Sequence, residues 1–242
     1  MDAHPERALL SRAQPEVYFW DQPLTRGPRA FSELVDAAAV ETERLARENG
    51  GPIRVLAHSF GGNVLRALLE KSGALISEIT LYNCGLDWPG GFLNLLRLLG
   101  RDGETMPELR ARIDAYANRQ DADATDLWST LGLLAEDPAF MRLYWPRRED
   151  FSAYAELGAE RRPLDFETLR SVLNEFLSSP LSIPKRISWK GGAKLFVGEK
   201  DPLGDAETLS RDWRKILPQI EVETVPDSGH FTHLEPALRA LR

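Results

Sequence analysis

The stretch VLAHSFGGNVLRALLEKSG, residues 55–73, changes character at one serine. The residues before it are mostly small and apolar, and IRVLAHS (53–59) predicts a buried strand. After it come a phenylalanine, two glycines and apolar residues at helical spacing, which predict a helix from about Gly62 to Ser72 that ends at Gly73. Ser59 is therefore expected on a tight turn from a strand into a helix.

Such a turn forces the serine into a strained backbone conformation and projects its hydroxyl outward. Small residues two positions to either side, Ala57 and Gly61, leave room for the strand and the helix to approach each other. The N–H of Phe60, at the start of the helix, is placed to stabilise an oxyanion. A plain glycine-rich helix start with an incidental serine stays possible, whereas a phosphate-binding loop is disfavoured because no Gly-Lys-Ser/Thr follows.

Strand and helix patterns alternate on both sides of this turn. Alternation of this kind predicts an α/β fold, with a mostly parallel sheet of about five strands flanked by helices. The strands are predicted at 17–20, 53–59, 77–84, 193–201 and 221–226, and the helices at 6–13, 32–49 with Ser32 as its cap, 62–72, 205–217 and 235–241.

Residues 86–190 interrupt the alternation. They contain Leu/Arg/Glu-rich stretches cut by prolines and no strand pattern, so we expect a helical cap inserted between two core segments, 1–85 and 191–242. Three tryptophans are expected either to line an apolar pocket or, more commonly at helical spacing, to fill the cap core: Trp128, Trp145 and Trp189.

Composition excludes several classes of protein. The 242 residues carry a net charge of −7 with short, mixed basic clusters, which argues against nucleic-acid binding. The single cysteine, Cys84, excludes an intrachain disulfide and is expected to be a buried apolar residue and not a reactive thiol. No Cys/His cluster has metal-ligand spacing, so neither a metal nor a cofactor is expected. Without a signal sequence or a long apolar run, a cytoplasmic protein that does not bind membranes is predicted.

A serine hydroxyl needs a base to become a nucleophile, and the chain offers four histidines including His4. His58 adjoins the serine, so in a strand it points to the opposite face and is expected to pack or hydrogen-bond locally. His230, in the loop PDSGHFTHLEP after the last predicted strand, is the favoured base. His233 is the rival, but it abuts the last helix and is expected to be structural.

The base also needs an orienting carboxylate. Asp201 follows a strand end in LFVGEKDPLG and is the first choice, with Glu199 as the second. The chain order is then Ser59, Asp201 and His230.

With these three motifs in this order, the sequence resembles the α/β-hydrolase fold family. The matching motifs are AHSFGG, VGEKDPL and DSGHFTHLEP, and the resemblance covers roughly 16–85 and 191–242. It implies that Ser59 is the nucleophile, His230 the base and Asp201 its orienter, and that 86–190 is the variable cap that shapes the substrate pocket. Ala57 replaces the first glycine of the family's usual Gly-x-Ser-x-Gly.

The sequence departs from this family at its beginning. Members usually have two or three strands before the one that matches VYFW (17–20), and a His-Gly loop that supplies a second oxyanion N–H. Three explanations stay open: a truncated N-terminus, direct pairing of 17–20 with the strand at 53–58, which is favoured for the isolated chain, or a partner chain that fills the gap.

The resemblance implies a serine hydrolase that acts on an ester, thioester or small amide through an acyl-enzyme on Ser59. The expected partner is a small-molecule substrate with an acyl group. Two alternatives are a catalytically weak, hydrolase-like binding protein and an acyltransferase that uses the same three residues.

Overall fold

The computed structural model describes most of the two predicted core segments and part of the segment between them. The described residues are 17–101, 141–157, 165–178 and 185–236, with Arg7, Leu10 and Ala111. The predicted helices at 6–13 and 235–241 and the side chain of Trp128 therefore lie wholly or largely outside the described residues.

Four parallel strands form one sheet, in the order β1-β2-β3-β4. This topology confirms the α/β fold class, with four strands among the described residues where about five were expected. The strands are β1 (Ile53–His58), β2 (Ile76–Tyr82), β3 (Gly192–Gly198) and β4 (Glu221–Val225).

Helices connect the strands, as parallel pairing requires. Before β1 lies α1 (Ala30–Asn49), and between β1 and β2 lie α2 (Gly61–Ser72) and a short 3-10 turn, Gly73–Leu75. The long connection from β2 to β3 contains α3 (Trp88–Arg101), α4 (Arg148–Leu157) and α5 (Phe166–Ser178), and α6 (Ala206–Ile216) precedes β4.

The sheet has one well-buried face, here called the first face. Its side chains include Ile79, Leu81, Leu195 and Val197, all with 0% exposure, and they share a core with α1, α2, α5 and α6. The second face carries the alternate side chains and is more open. On this second face Leu56 lies beside Thr80 of β2, and Thr80 lies beside Lys194 of β3. The side chain of Leu56 is 47% exposed.

Two local predictions are wrong. Residues 17–20 form no strand and do not pair with β1, which among the described residues pairs only with β2. Ser32 does not cap α1 but lies inside it, where Glu175 of α5 accepts hydrogen bonds from its hydroxyl and its N–H. The helix after the serine does end at Gly73, as predicted, and Gly73 (φ −57°) begins the 3-10 turn.

The described parts of 86–190 are helical or irregular, and the proposed division into core and cap stays a prediction. Most of α3 and α4 packs in a second apolar cluster that includes Phe231 and Leu234. Trp145 is buried there, stacked on Phe231, whereas Trp189 packs against the main core and donates to the carbonyls of Gly73 and Ile76. No helix among the described residues is long and apolar enough to cross a membrane.

Candidate active site

The turn after β1 is strained in the predicted way. Ser59 has φ +53°, in the left-handed backbone region that residues other than glycine rarely adopt. Two hydrogen bonds hold the turn: the N–H of Ser59 donates to the carbonyl of Tyr82 (3.0 Å), and its carbonyl accepts from the N–H of Gly62 (3.1 Å). Phe60 follows at the start of α2 in helical conformation, so its N–H lies among the free N–H groups of a helix start.

Close packing beneath the turn depends more on Gly62 than on Gly61. A Cβ on Gly61 would make an ordinary contact with Ala57 at 3.6 Å, whereas one on Gly62 would lie 2.5 Å from the Cβ of Cys84. Cys84 is 0% exposed, and burial raises the pKa of its thiol to about 12. The structure therefore agrees with a buried apolar role for this cysteine and not with a reactive thiol.

His230 and Asp201 lie together at the carboxyl end of the sheet. Nδ1 of His230 is 3.0 and 3.1 Å from the two carboxylate oxygens of Asp201, and their side chains are only 4% and 1% exposed. Because a carboxylate only accepts, Nδ1 carries a proton, and in the neutral form of the ring Nε2 then has a free lone pair. The turn after β3 that carries Asp201, here called the acid turn (residues 198–203), contains an Asx turn, in which Asp201 accepts from the N–H of Leu203 (3.0 Å).

The second-choice residues lie elsewhere. Glu199 accepts from the N–H of Asp227 (3.0 Å) and does not contact His230. His233 packs its ring on His58 and Tyr82, and burial lowers its pKa to about 3.

His58 differs from its prediction in one respect. Its side chain does lie on the second face, but its hydrogen bond is not local, because Nε2 donates to the carbonyl of His230 (2.9 Å). Burial, with smaller contributions from His233 and His230, lowers its pKa well below the ordinary value. The residue before the serine thus supports the predicted base across 172 positions of sequence.

The histidine loop, residues 228–235, is held by its own carboxylate and by the segment before α4. Glu235, 1% exposed, accepts from the hydroxyl of Ser228 (2.9 Å) and the N–H of Gly229 (2.7 Å). The N–H of His230 donates to the carbonyl of Tyr144 (2.9 Å). The sequence analysis did not predict these hydrogen bonds, although the sequence shows a glutamate five residues after the predicted base.

Aromatic rings surround the residue after the serine. Phe60 makes edge contacts with Phe31, Trp88 and Phe176, at centroid distances of 6.0, 5.5 and 5.3 Å. Phe176 comes from α5, so this part of 86–190 packs directly on the start of α2. No group of three or more metal-ligating side chains occurs among the described residues.

The fold and the strand-end residues define a class: α/β proteins with a strained serine turn and a buried His–Asp pair at the carboxyl end of a parallel sheet. The chain belongs to the alpha/beta hydrolase family, whose model matches residues 5–240. A search of curated protein sequences finds no significant match.

Solved structures show the same fold at low sequence identity. A proline iminopeptidase-related protein from Thermus thermophilus superposes with a TM-score of 0.64 and 22% identity, over 99% of this chain and 83% of its own. A thermophilic esterase from Thermogutta terrifontis gives 0.60 and 16%, over 100% and 84% of the two chains. A serine hydrolase from the polyaromatic hydrocarbon-degrading bacterium Cycloclasticus zankles gives 0.52 and 11%, over 92% and 71%.

Proposed function

We propose that the protein is a serine hydrolase that cleaves an ester, thioester or small amide through an acyl-enzyme on Ser59. The observation that carries the proposal is the buried hydrogen bond between His230 and Asp201, at the same sheet edge as the strained Ser59 turn. Family membership and the esterase among the structural neighbours agree with hydrolysis as the reaction class.

In the proposed reaction, Oγ of Ser59 attacks the substrate carbonyl carbon and its proton passes to Nε2 of His230. Asp201 keeps the proton of the neutral ring on Nδ1 and stabilises the imidazolium that forms. The N–H of Phe60 donates to the oxyanion of the tetrahedral intermediate. When the intermediate collapses, the alcohol, thiol or amine leaves with the proton from His230.

Water then attacks the acyl-enzyme, and His230 takes one of its protons. Collapse of the second intermediate returns that proton to Oγ of Ser59 and releases the acid. An alcohol or amine in place of water would give acyl transfer, and product analysis with a competing nucleophile separates the two reactions.

A fluorophosphonate probe tests the nucleophile directly, since it phosphonylates activated serines and releases fluoride. We expect labelling of Ser59 in the wild-type protein and none in Ser59→Ala. Asp201→Asn should slow labelling by about 10³–10⁴-fold, because the amide no longer keeps the proton on Nδ1. The matched control is Glu199→Gln, which changes a nearby exposed carboxylate that does not contact His230 and should label at the wild-type rate.

A second candidate function, a catalytically weak hydrolase-like binding protein, is favoured by one observation. Among the described residues β1 has no strand on its outer side, which is where the family's second oxyanion donor would come from. One lost donor typically slows such a reaction by about 10²–10³-fold. Folded protein that binds an apolar ester tightly, yet neither turns it over nor reacts with the probe, would favour this candidate over the hydrolase.

A further inference from the structure

We propose that Asn83 is a positioning residue that fixes the distance between Asp201 and His230. The inference rests on the proposed function, since it assigns a support to the same site. Its observation is independent, however, because Asn83 belongs to neither of the loops that carry the two residues.

Asn83 is held in an unusual backbone conformation at the end of β2. It has φ +50° and is 1% exposed, and its N–H donates to the carbonyl of Phe196 in β3 (2.9 Å). A left-handed residue of this kind turns its side chain out of the strand direction, here toward the carboxyl ends of β3 and β4. Strained non-glycine residues of this kind concentrate at functional sites.

The side-chain amide joins two loops at once. Its Oδ1 accepts from the N–H of Gly198 (2.7 Å), where the turn toward Asp201 begins. Its Nδ2 donates into the histidine loop, to the carbonyls of His230 (2.7 Å) and Gly229 (3.1 Å) and to Oγ1 of Thr232 (2.7 Å). The acid turn and the histidine loop are thus hydrogen-bonded to the same planar group.

This arrangement requires a side chain that both accepts and donates hydrogen bonds, as an amide does. A single side chain must accept on one side and donate on the other, which a carboxylate cannot do because it only accepts. The turn transmits the position of Gly198 to Asp201 directly, because the N–H of Asp201 donates to the carbonyl of Gly198 (3.1 Å). Displacing either loop from Asn83 would therefore change the geometry of the His230–Asp201 hydrogen bond.

Other contacts of the histidine loop do not involve Asn83. Glu235, the carbonyl of Tyr144 and the ring of His58 hold the histidine loop by hydrogen bonds that do not involve Asn83. We therefore expect loss of Asn83 to misplace His230 relative to Asp201 while the protein remains folded.

Two substitutions suit the left-handed backbone and so separate positioning from folding. Asn83→Asp keeps the acceptor for Gly198 but replaces the donors with a second oxygen, and Asn83→Gly removes the side chain without backbone strain. The control is Asn63→Ala, because Asn63 is also 1% exposed but donates to the carbonyl of Gly85 (3.2 Å), outside both loops. Circular dichroism and melting curves establish that each variant is folded.

The first measurement is the rate of fluorophosphonate labelling at Ser59 as a function of probe concentration. We expect the maximal rate to fall by about 10–10²-fold in both Asn83 variants, with the half-saturating concentration unchanged, because misplacement of a catalytic group affects reaction more than binding. Asn63→Ala should keep a rate within about threefold of the wild type. The second measurement is the low-field proton NMR signal of Nδ1–H in His230, which should be lost or shifted upfield only in the Asn83 variants.

The outcomes distinguish the two proposals. If the wild-type protein labels Ser59 and both Asn83 variants label at the wild-type maximal rate with an unchanged NMR signal, the positioning role is overturned. A wild-type protein that does not label Ser59 contradicts the proposed function, and the NMR signal then decides the positioning role alone. A rate loss of equal size in Asn63→Ala also counts against the proposal, since it would indicate a general effect of removing a buried amide.

Discussion

The histidine loop and the second face of the sheet lie close together but are built in opposite ways. In the loop, Ser228, His230 and Glu235 are 1–3% exposed, and hydrogen bonds join them to other residues of the loop or to distant parts of the chain. On the second face Leu56 is 47% exposed, and Lys194 makes a loose, solvent-exposed ion pair with Glu221 at 3.8 Å.

This difference shows where the structure is sensitive to change. In the loop a displaced backbone atom loses several hydrogen bonds, and each buried donor or acceptor left without a partner costs about 1–3 kcal/mol. At Leu56 and Lys194 on the second face a changed side chain meets water, and such substitutions usually alter stability by less than about 0.5 kcal/mol. Two substitutions and a change of pH test that contrast.

The largest effect is expected from Gly198→Ala, at the contact between the acid turn and the histidine loop. An added Cβ would overlap the carbonyl oxygen of Gly229 and lie 2.6 Å from that of Ser228, so one of the two loops must move. We expect a loss of about 3 kcal/mol in the free energy of unfolding, at the upper end of the usual cost of overpacking. Gly192→Ala is the control on the same strand, because its Cβ would meet only the Glu78 side chain, with Cγ at an ordinary 3.5 Å.

Urea unfolding measures both variants. Similar stabilities for Gly198→Ala and Gly192→Ala would mean that the two loops can separate at little cost, and the contrast with the second face would fail.

Acid is expected to have an intermediate effect, through the buried histidines beside the loop. His233 has its pKa lowered to about 3 by burial, so the unfolded chain binds its proton near pH 6.5 and the folded protein does not. Stability is therefore present above pH 6.5 and is lost as the pH falls, by on the order of 2 kcal/mol between pH 7 and pH 5. The lowered pKa of His58 acts in the same direction.

His233→Phe tests this expectation, because phenylalanine keeps an aromatic ring and removes the titrating group. Between pH 7 and pH 5, the free energy of unfolding should fall less in the variant than in the wild type. The difference should be the contribution of one titrating histidine, on the order of 2 kcal/mol. Glu41 and Asp165, whose pKa values hydrogen bonds from arginines lower to about 2, stay ionised in that range. Parallel pH curves for the two proteins would contradict the assignment of this effect to His233.

The smallest effect is expected from Leu56→Ala on the second face. Its side chain is already 47% exposed, so we expect a change within about 0.5 kcal/mol. Leu81→Ala is the matched variant on the first face, where 0% exposure predicts a loss of about 2–5 kcal/mol. The melting temperatures of the two variants compare their stability losses. A large loss in Leu56→Ala would show that something covers the second face.

Sequence patterns predicted those parts of the fold that depend on local chemistry. The apolar runs of β1, β2 and β3 and the glycine after α1 are visible in any short window, and Gly50 does end the helix in a left-handed conformation. Residues 17–20 mislead because bulky β-branched and aromatic residues favour a strand only where a neighbouring strand pairs with them.

The residues that hold the candidate site in place could not be predicted from the sequence, for a different reason. Ser59, Asp201 and His230 each follow a strand end, so topology alone groups them. The roles of Asn83 and His58 depend on hydrogen bonds that span 115 to 172 positions, and a single sequence holds no local sign of them. The choice between Asp201 and Glu199 likewise needed the direction of each side chain in the turn.

The thiol of Cys84 can report how often the serine turn opens. It is the chain's single cysteine, lies beneath Gly62 with no exposure, and has a thiol whose pKa burial raises to about 12. A soluble alkylating reagent therefore reacts only in molecules where the turn has opened, and its rate at low reagent concentration reports how often that happens. Comparing this opening frequency with the rate of global unfolding would show whether the turn that carries Ser59 opens locally or only when the whole protein unfolds.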